Sequence, residues 1–294
     1  MARRLATVHR QRLGAQLRKL REERGLTLEE AAARVMMSKS ALSRMEKAQV
    51  GARAHEVDYI LVSYGYEKDD DLRSALVGLA TGGRSRDWTR RHKLPGKGPN
   101  YGEYVMLEQD SSEFFAYHAD LIPGLLQTPE YAHAVMSSVP SSGLTNIEEG
   151  VTYRMARKEA LDRPDPLSIK AVIGEAAICQ WMGGLEVMIA QLRYLLELIQ
   201  RPNIDLRVFP FTAPTHPGVD GSFIILDVEV GNFPVVVVDA LRRRFFIDDD
   251  ESVAAYRRVQ DELCCLALSK TETGERLERA IRDLRIHASE RIKK

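Results

Sequence analysis

Cysteine is scarce in this sequence: 294 residues contain three, Cys179, Cys264 and Cys265. Three is too few, and the spacing too uneven, for a disulfide framework, and neighbouring cysteines do not ligate one metal at ordinary spacing. They read as buried thiols in a reducing compartment. Long hydrophobic runs are missing as well. The opening "MARRLATVHRQRLGAQLRK" is basic but leads into no apolar segment, and nothing approaches the roughly 18 apolar residues of a membrane span. The expectation is a cytoplasmic protein with no membrane partner. Internal repeats, metal-ligand spacings, phosphate-cradling glycine loops and nucleophile elbows are absent too. The sequence therefore assigns no catalytic residue, metal or cofactor, and the chain is not expected to be an enzyme.

Net charge is also lacking, but only as a sum. Residues 1–100 hold 21 Lys and Arg against 12 Asp and Glu, whereas residues 101–294 hold 21 against 30, so the two parts carry +9 and −9. A basic end joined to an acidic body suggests a polyanion contact confined to that end. Length points the same way, since domains average about 100 to 200 residues and two are expected here.

Within the basic end, Leu13, Leu17 and Leu20 form one helical stripe, and Gly25 ends that helix by entering the left-handed region. Thr27 with Glu30 makes a capping box for a second helix with Leu28, Ala31, Ala32 and Val35 inside. After "MMS", Ser38 caps a third helix, Lys39 to about Lys47, with Ala41, Leu42 and Met45 inward. Two further short helices follow in "AHEVDYILVSYG" and "DDDLRSALVGLA". This is an all-α domain of about five helices over residues 9–80. Residues 81–100 lose all periodicity and hold six Lys and Arg against one Asp, with Trp88 as the only large apolar anchor. They read as a basic linker, a solvated tether in preference to a minor-groove or phosphate-gripping arm.

Residues 101–294 read as an α+β domain with a mixed sheet of about five strands. "YVMLEQDSSEFF" suits a strand or a short helix. A helix begins at Thr128 with Pro129 in its first turn, and the polar loop "SSVPSSGLTN" leads to another near Ile147–Leu161. "LSIKAVIG", the helix Leu185–Ile199 and "IDLRVFPF" suggest a right-handed crossover between parallel strands. "SFIILDVEVGNFPVVVVDA" is a hairpin turned at Gly231-Asn232, "RRFFID" supplies a further strand, and two helices close the chain at Glu251–Ser269 and from Glu275 to about Ile292.

A helix, a tight turn and a second helix with small polar residues and cations outside form the helix-turn-helix arrangement, whose second helix lies in the DNA major groove. Lys39, Ser40, Ser43 and Arg44 are the candidate base readers. The serines permit close approach, and Arg44 can pair bidentately with guanine, a contact worth about 1–3 kcal/mol of discrimination. Thr27 and Ser38 at helix starts, with Arg10, Arg12, Lys47 and Arg53, are candidates for phosphate. One recognition helix reads few base pairs, so a homodimer on double-stranded DNA is expected. In the second domain the apolar turn "LIPGLLQT" offers Pro123, Leu125 and Leu126, beside Tyr131, as the lining of a cleft or partner surface. His216 in "THPGVDG" is read as a loop histidine, with a ligand-gripping role or an enzyme site shared with Asp220 as the less favoured readings.

"LRKLREERGLTLEEAAARVMMSKSALSRMEKAQVGAR" resembles the Xre-type helix-turn-helix domain of phage repressors. "FFAYHADLIPGLLQTPEYAHAVM", "RPDPLSIKAVIGEAAI", "QLRYLLELIQRPNIDLRVFPF" and "HPGVDGSFIILD" are similar to the C-terminal domain of an actinobacterial, antitoxin-like group of such regulators. The resemblance implies transcriptional regulation and a small partner protein encoded nearby, with the alternative that neutralising that partner is the main task. In the Xre type a glycine usually stands where this sequence has Met36, and another soon after the position of Glu46. Met36 is therefore expected to strain or alter the turn, at about 1–2 kcal/mol, and the recognition helix is expected to run on to Gly51.

Overall fold

The computed structural model describes residues 7–94, 100–138, 146–240 and 243–292. The polar loop expected at residues 137–146 falls mostly outside them. The chain forms two compact units, one containing residues up to Arg90 together with Val228–Phe233, the other containing Arg91–Asp227 and Pro234 onward.

The first unit is all-α. Its helices are α1 (Val8–Glu23), α2 (Leu28–Arg34), α3 (Lys39–Glu46), α4 (Ala54–Ser63), α5 (Asp70–Thr81) and the start of α6 (Gly83–Arg91). The stripe Leu13, Leu17 and Leu20 is buried, and so are Ala31, Ala32, Val35, Leu42, Met45, Val57, Ile60 and Leu61. Gly25 enters the left-handed region at φ 66°. Thr27 and Glu30 form the reciprocal capping box, with the Glu30 amide donating to Thr27 Oγ1 at 3.2 Å and the Thr27 amide to Glu30 Oε2 at 2.8 Å.

Two expectations change here. The stretch 81–100 is not a featureless linker, because α6 occupies its first half. Trp88 is only 2% exposed and Ser85 1%. The hydroxyls of Ser85 and Thr89 donate back to the carbonyls of Gly82 and Ser85, both at 2.8 Å. One large ring burying itself holds a helix that carries no apolar repeat for a sequence reading to detect. The recognition helix likewise does not run on to Gly51. It stops at Glu46, and Ala48 takes a left-handed φ of 54° while the Gln49 amide donates to the Arg44 carbonyl at 2.8 Å. Alanine here makes the turn for which glycine is usually chosen.

The second unit has α7 (Tyr101–Gln109), β1 (Ser111–His118), α8 (Pro129–Ser138), α9 (Ile147–Ala156), β2 (Ser168–Gly174), α10 (Ala176–Cys179), α11 (Leu185–Leu198), β3 (Ile204–Phe209), β4 (Phe223–Val228), β5 (Phe233–Ala240), β6 (Arg243–Ile247), α12 (Asp250–Leu266) and α13 (Lys270–Ile292). One mixed sheet runs β3-β2-β1-β4-β5-β6. It has six strands rather than about five, because "YVMLEQDSSEFF" holds a helix and then a strand. The first three strands are parallel, with Ala116 opposite Ala171 and Ala171 opposite Leu206, and β5 and β6 are antiparallel. Ala171, Val172 and Ile173 are all fully buried, as in strands covered on both faces. Phe115, Val172, Ile225 and Val236 meet Val253 and Leu263 of α12, while α13 buries Leu277, Ile281 and Leu284. The thiols depart from expectation: Cys179 and Cys265 are exposed and Cys264 is half-buried.

Two stability predictions follow from the first unit. Met36 has φ 51° with its side chain 81% exposed, so Met36→Gly removes backbone strain without emptying a core site. It should raise unfolding free energy by about 1 kcal/mol in urea titration, and a loss of stability would contradict the strained turn. Burial lowers the His9 pKa from 6.5 to about 4. The folded state thus disfavours the proton that the unfolded chain binds, so stability present above pH 6.5 falls as pH drops towards 4. The loss amounts to about 3 kcal/mol. His9→Gln should flatten this part of the profile, leaving that of His118, which burial also pushes down to about 4; an unchanged slope would refute the assignment.

Candidate nucleic-acid interface

The recognition helix is mounted from behind by α1. A Cβ on Gly14 would lie 2.6 Å from the Glu46 carbonyl oxygen and 2.8 Å from that of Met45, a distance at which no side chain fits. Glycine therefore lets the backbones of α1 and α3 touch. Two turns further along α1, Arg21 grips Glu46 bidentately, Nε to Oε1 at 2.7 Å and an Nη to Oε2 at 3.1 Å, and donates to the Leu26 carbonyl at 2.8 Å. The Arg21 and Glu46 side chains are 10% and 5% exposed. Glu46, the one acid between Ser38 and Lys47, is thus turned inward and neutralised.

What remains outward carries no acid. Lys39, Ser40, Ser43 and Arg44 stand at spacings that share one side of the helix, with Leu42 and Met45 beneath. Lys39, Ser40 and Arg44 are exposed and Ser43 is half-buried. Ser38 caps the helix by accepting from the Ala41 amide at 3.1 Å, and its hydroxyl lies 3.1 Å from that of Ser40. Lys39 bonds Glu29 Oε2 at 3.1 Å. Both side chains of this pair are mostly exposed, and such pairs contribute about 0–1 kcal/mol, so the ammonium can exchange Glu29 for a stronger acceptor.

The phosphate candidates divide. Arg10, Lys47 and Arg53 are exposed, and the guanidinium of Arg10 lies against Gly51, bringing it to the loop that separates Lys47 from Arg53. Arg12 is half-buried with its guanidinium 5.4 Å from the centre of the Phe233 ring, a packing position inside the unit. The Thr27 hydroxyl already bonds Glu30 Oε2 at 2.8 Å, so an incoming phosphate would compete with the cap.

In the second unit the structure corrects the "IPGLL" reading. Pro123, Leu125, Leu126 and Tyr131 are brought together but buried, with Leu125 and Leu126 at 0% and Tyr131 at 1% exposure, so they line neither a cleft nor a surface. The turn can lie in the core because its polar backbone is satisfied there. Gln127 donates to the Ile122 carbonyl at 2.7 Å, Gln191 donates to the Leu126 carbonyl at 2.8 Å, and the Thr128 amide donates to Gln191 Oε1 at 2.6 Å. His216 packs elsewhere, 4.2 Å from the Phe209 ring centre, and its Nδ1 accepts the Gly218 amide at 3.2 Å. That bond makes it the cap of the short turn Pro217–Asp220.

Sequence reading missed the buried ion pair of this unit. Arg157 donates to both oxygens of Glu108, at 2.8 and 2.5 Å, and to Tyr101 at 3.0 Å, while Tyr104 donates to Glu108 at 2.8 Å. Burial, reinforced by the Glu108 carboxylate, pushes the Tyr104 pKa well above its ordinary value. Nearby, burial lowers the Lys158 pKa to about 8. Residues 49 apart in sequence give no local sign of such a pair. Among the described residues no group of His, Cys, Asp or Glu could hold a metal ion, and no helix is long and apolar enough to cross a membrane.

Comparison with known families gives two separate matches. Residues 12–76 match a family described as a helix-turn-helix domain, and residues 101–279 match one described as a domain of unknown function (DUF5753). The second match covers more than half of the sequence. The chain belongs to the DUF5753 family. No curated protein and no solved structure matches it. The first unit is accordingly a helix-turn-helix head of the DNA-binding kind, and the DUF5753 region is the α+β unit that follows. Within the head, Glu46→Gln should leave Arg21 with only the longer, partly exposed Glu22 contact at 3.3 Å for counter-charge and cost about 1–3 kcal/mol in urea unfolding. A cost under 1 kcal/mol would mean that the pair does not hold the recognition helix.

Proposed function

We propose that this DUF5753-family protein is a sequence-specific transcriptional regulator of the Xre type that binds double-stranded DNA as a cytoplasmic homodimer. Its C-terminal domain responds to a ligand or to a small partner protein. The observation that carries the reading is the inward turn of Glu46. It leaves a recognition helix whose exposed face combines Lys39, Ser40, Ser43 and Arg44 with no carboxylate, so charge and shape both suit the major groove. Two copies are invoked because paired heads about 34 Å apart read enough base pairs for specificity. The acidic excess of residues 101–294 would keep the rest of the chain off the duplex. The C-terminal domain binds rather than catalyses in this reading, in keeping with His216 serving as a turn cap.

Binding to the DNA upstream of the protein's own gene, measured across a salt series, tests the proposal. Affinity should fall steeply with salt on every sequence while the specific site keeps its advantage. Arg44→Ala should erase about 1–3 kcal/mol of discrimination between matched and mutated sites, and Arg53→Ala should weaken all sequences alike. Equal binding of scrambled DNA by the unaltered protein, or identical effects of the two variants, would overturn the assignment.

A further inference from the structure

The head is not built from a continuous stretch of chain. Val228–Phe233, nearly 140 residues downstream of Arg90, is part of it. Phe233 is 2% exposed and meets α1 twice: the His9 ring stands edge-on at 6.2 Å between centres, and the Arg12 guanidinium lies 5.4 Å from the ring centre. Gly231, at φ 90°, sits so close to α5 that a Cβ there would come within 2.6–2.7 Å of the Leu79 side chain. Val230 Cγ1 would be 3.2 Å from a Cβ on Gly78. Glu229 pairs with Arg84 of α6 at 2.6 Å. The segment thus has an apolar plug, a glycine fitted to a specific leucine, and an ion pair at its rim.

The same α1 that receives Phe233 carries Gly14 and Arg21, the two residues that fix the recognition helix. The other ends of the segment are covalently β4 and β5, central strands of the DUF5753 sheet. We propose that Val228–Phe233 couples the packing of the head to its grip on DNA: seated on α1 and α5 it completes the head, and without it α1 loosens and DNA binding weakens. The coupling half of this statement rests on the DNA-binding reading above; the seating half does not.

Two measurements on the full chain separate them. Hydrogen exchange of Phe233→Ala and of Gly231→Ala should speed exchange in α1 and α5 at least tenfold while β1, β2 and β3 keep their protection. DNA affinity should fall at least tenfold in the same variants. Because either substitution could disturb folding, a third variant pairs Gly78→Cys with Val230→Cys: oxidation should close a cross-link and leave DNA affinity at the level of the unaltered protein. Failure of the cross-link, or unchanged exchange in α1, defeats the seating. Faster exchange with undiminished DNA affinity defeats the coupling. If the unaltered protein binds no DNA, the functional reading and the coupling fall together, and exchange and cross-linking still decide whether the segment is seated.

Discussion

The close approach of α1 to the end of α3 is the constraint on which the exposed face of the helix-turn-helix depends. Gly14 brings two backbones into contact, and Arg21 adds a buried, bidentate grip on Glu46. A buried ion pair contributes little net stability compared with apolar packing, because desolvation offsets most of its attraction. What it supplies is orientation. An eight-residue helix has too few buried side chains to fix its own angle, and the fork of Arg21 fixes its last turn while the Ser38 cap fixes its first. The same bond removes the helix's only carboxylate from the face proposed to read DNA.

The elements with strong local signals were legible in the sequence. Leu13, Leu17 and Leu20 place α1, Thr27 with Glu30 marks the start of α2, and the alternating run around Gly231-Asn232 marks a hairpin whose two turn residues both have positive φ. The exposure of Lys39, Ser40 and Arg44 was legible for the same reason, since the apolar stripe of α3 leaves them nowhere else to go. Met36 shows that turn geometry survives an unfavourable residue when the surrounding hydrogen bonds demand it: the Met37 amide still donates to the Ala32 carbonyl at 2.9 Å.

What was not legible depended on partners distant in sequence. Composition shows an apolar turn at "IPGLL" but not that Gln127 and Gln191 will satisfy its carbonyls and let it sink into the core. α6 has one large apolar residue and no repeat, so its helix is visible only once Trp88 has somewhere to go. Nothing beside Glu46 in the sequence announces that Arg21, 25 residues away, turns it inward. Arg12 reads as one more surface cation until Phe233 arrives beneath it.

That last arrangement bears on how the protein is made. The helices of the head leave the ribosome with their seat for Phe233 open, and roughly 140 further residues must be translated before it can be filled. At about 5–20 residues per second this is a delay of roughly 7 to 30 s. During synthesis the head is an unfinished domain, and it reaches its final packing only after most of the C-terminal sheet has emerged.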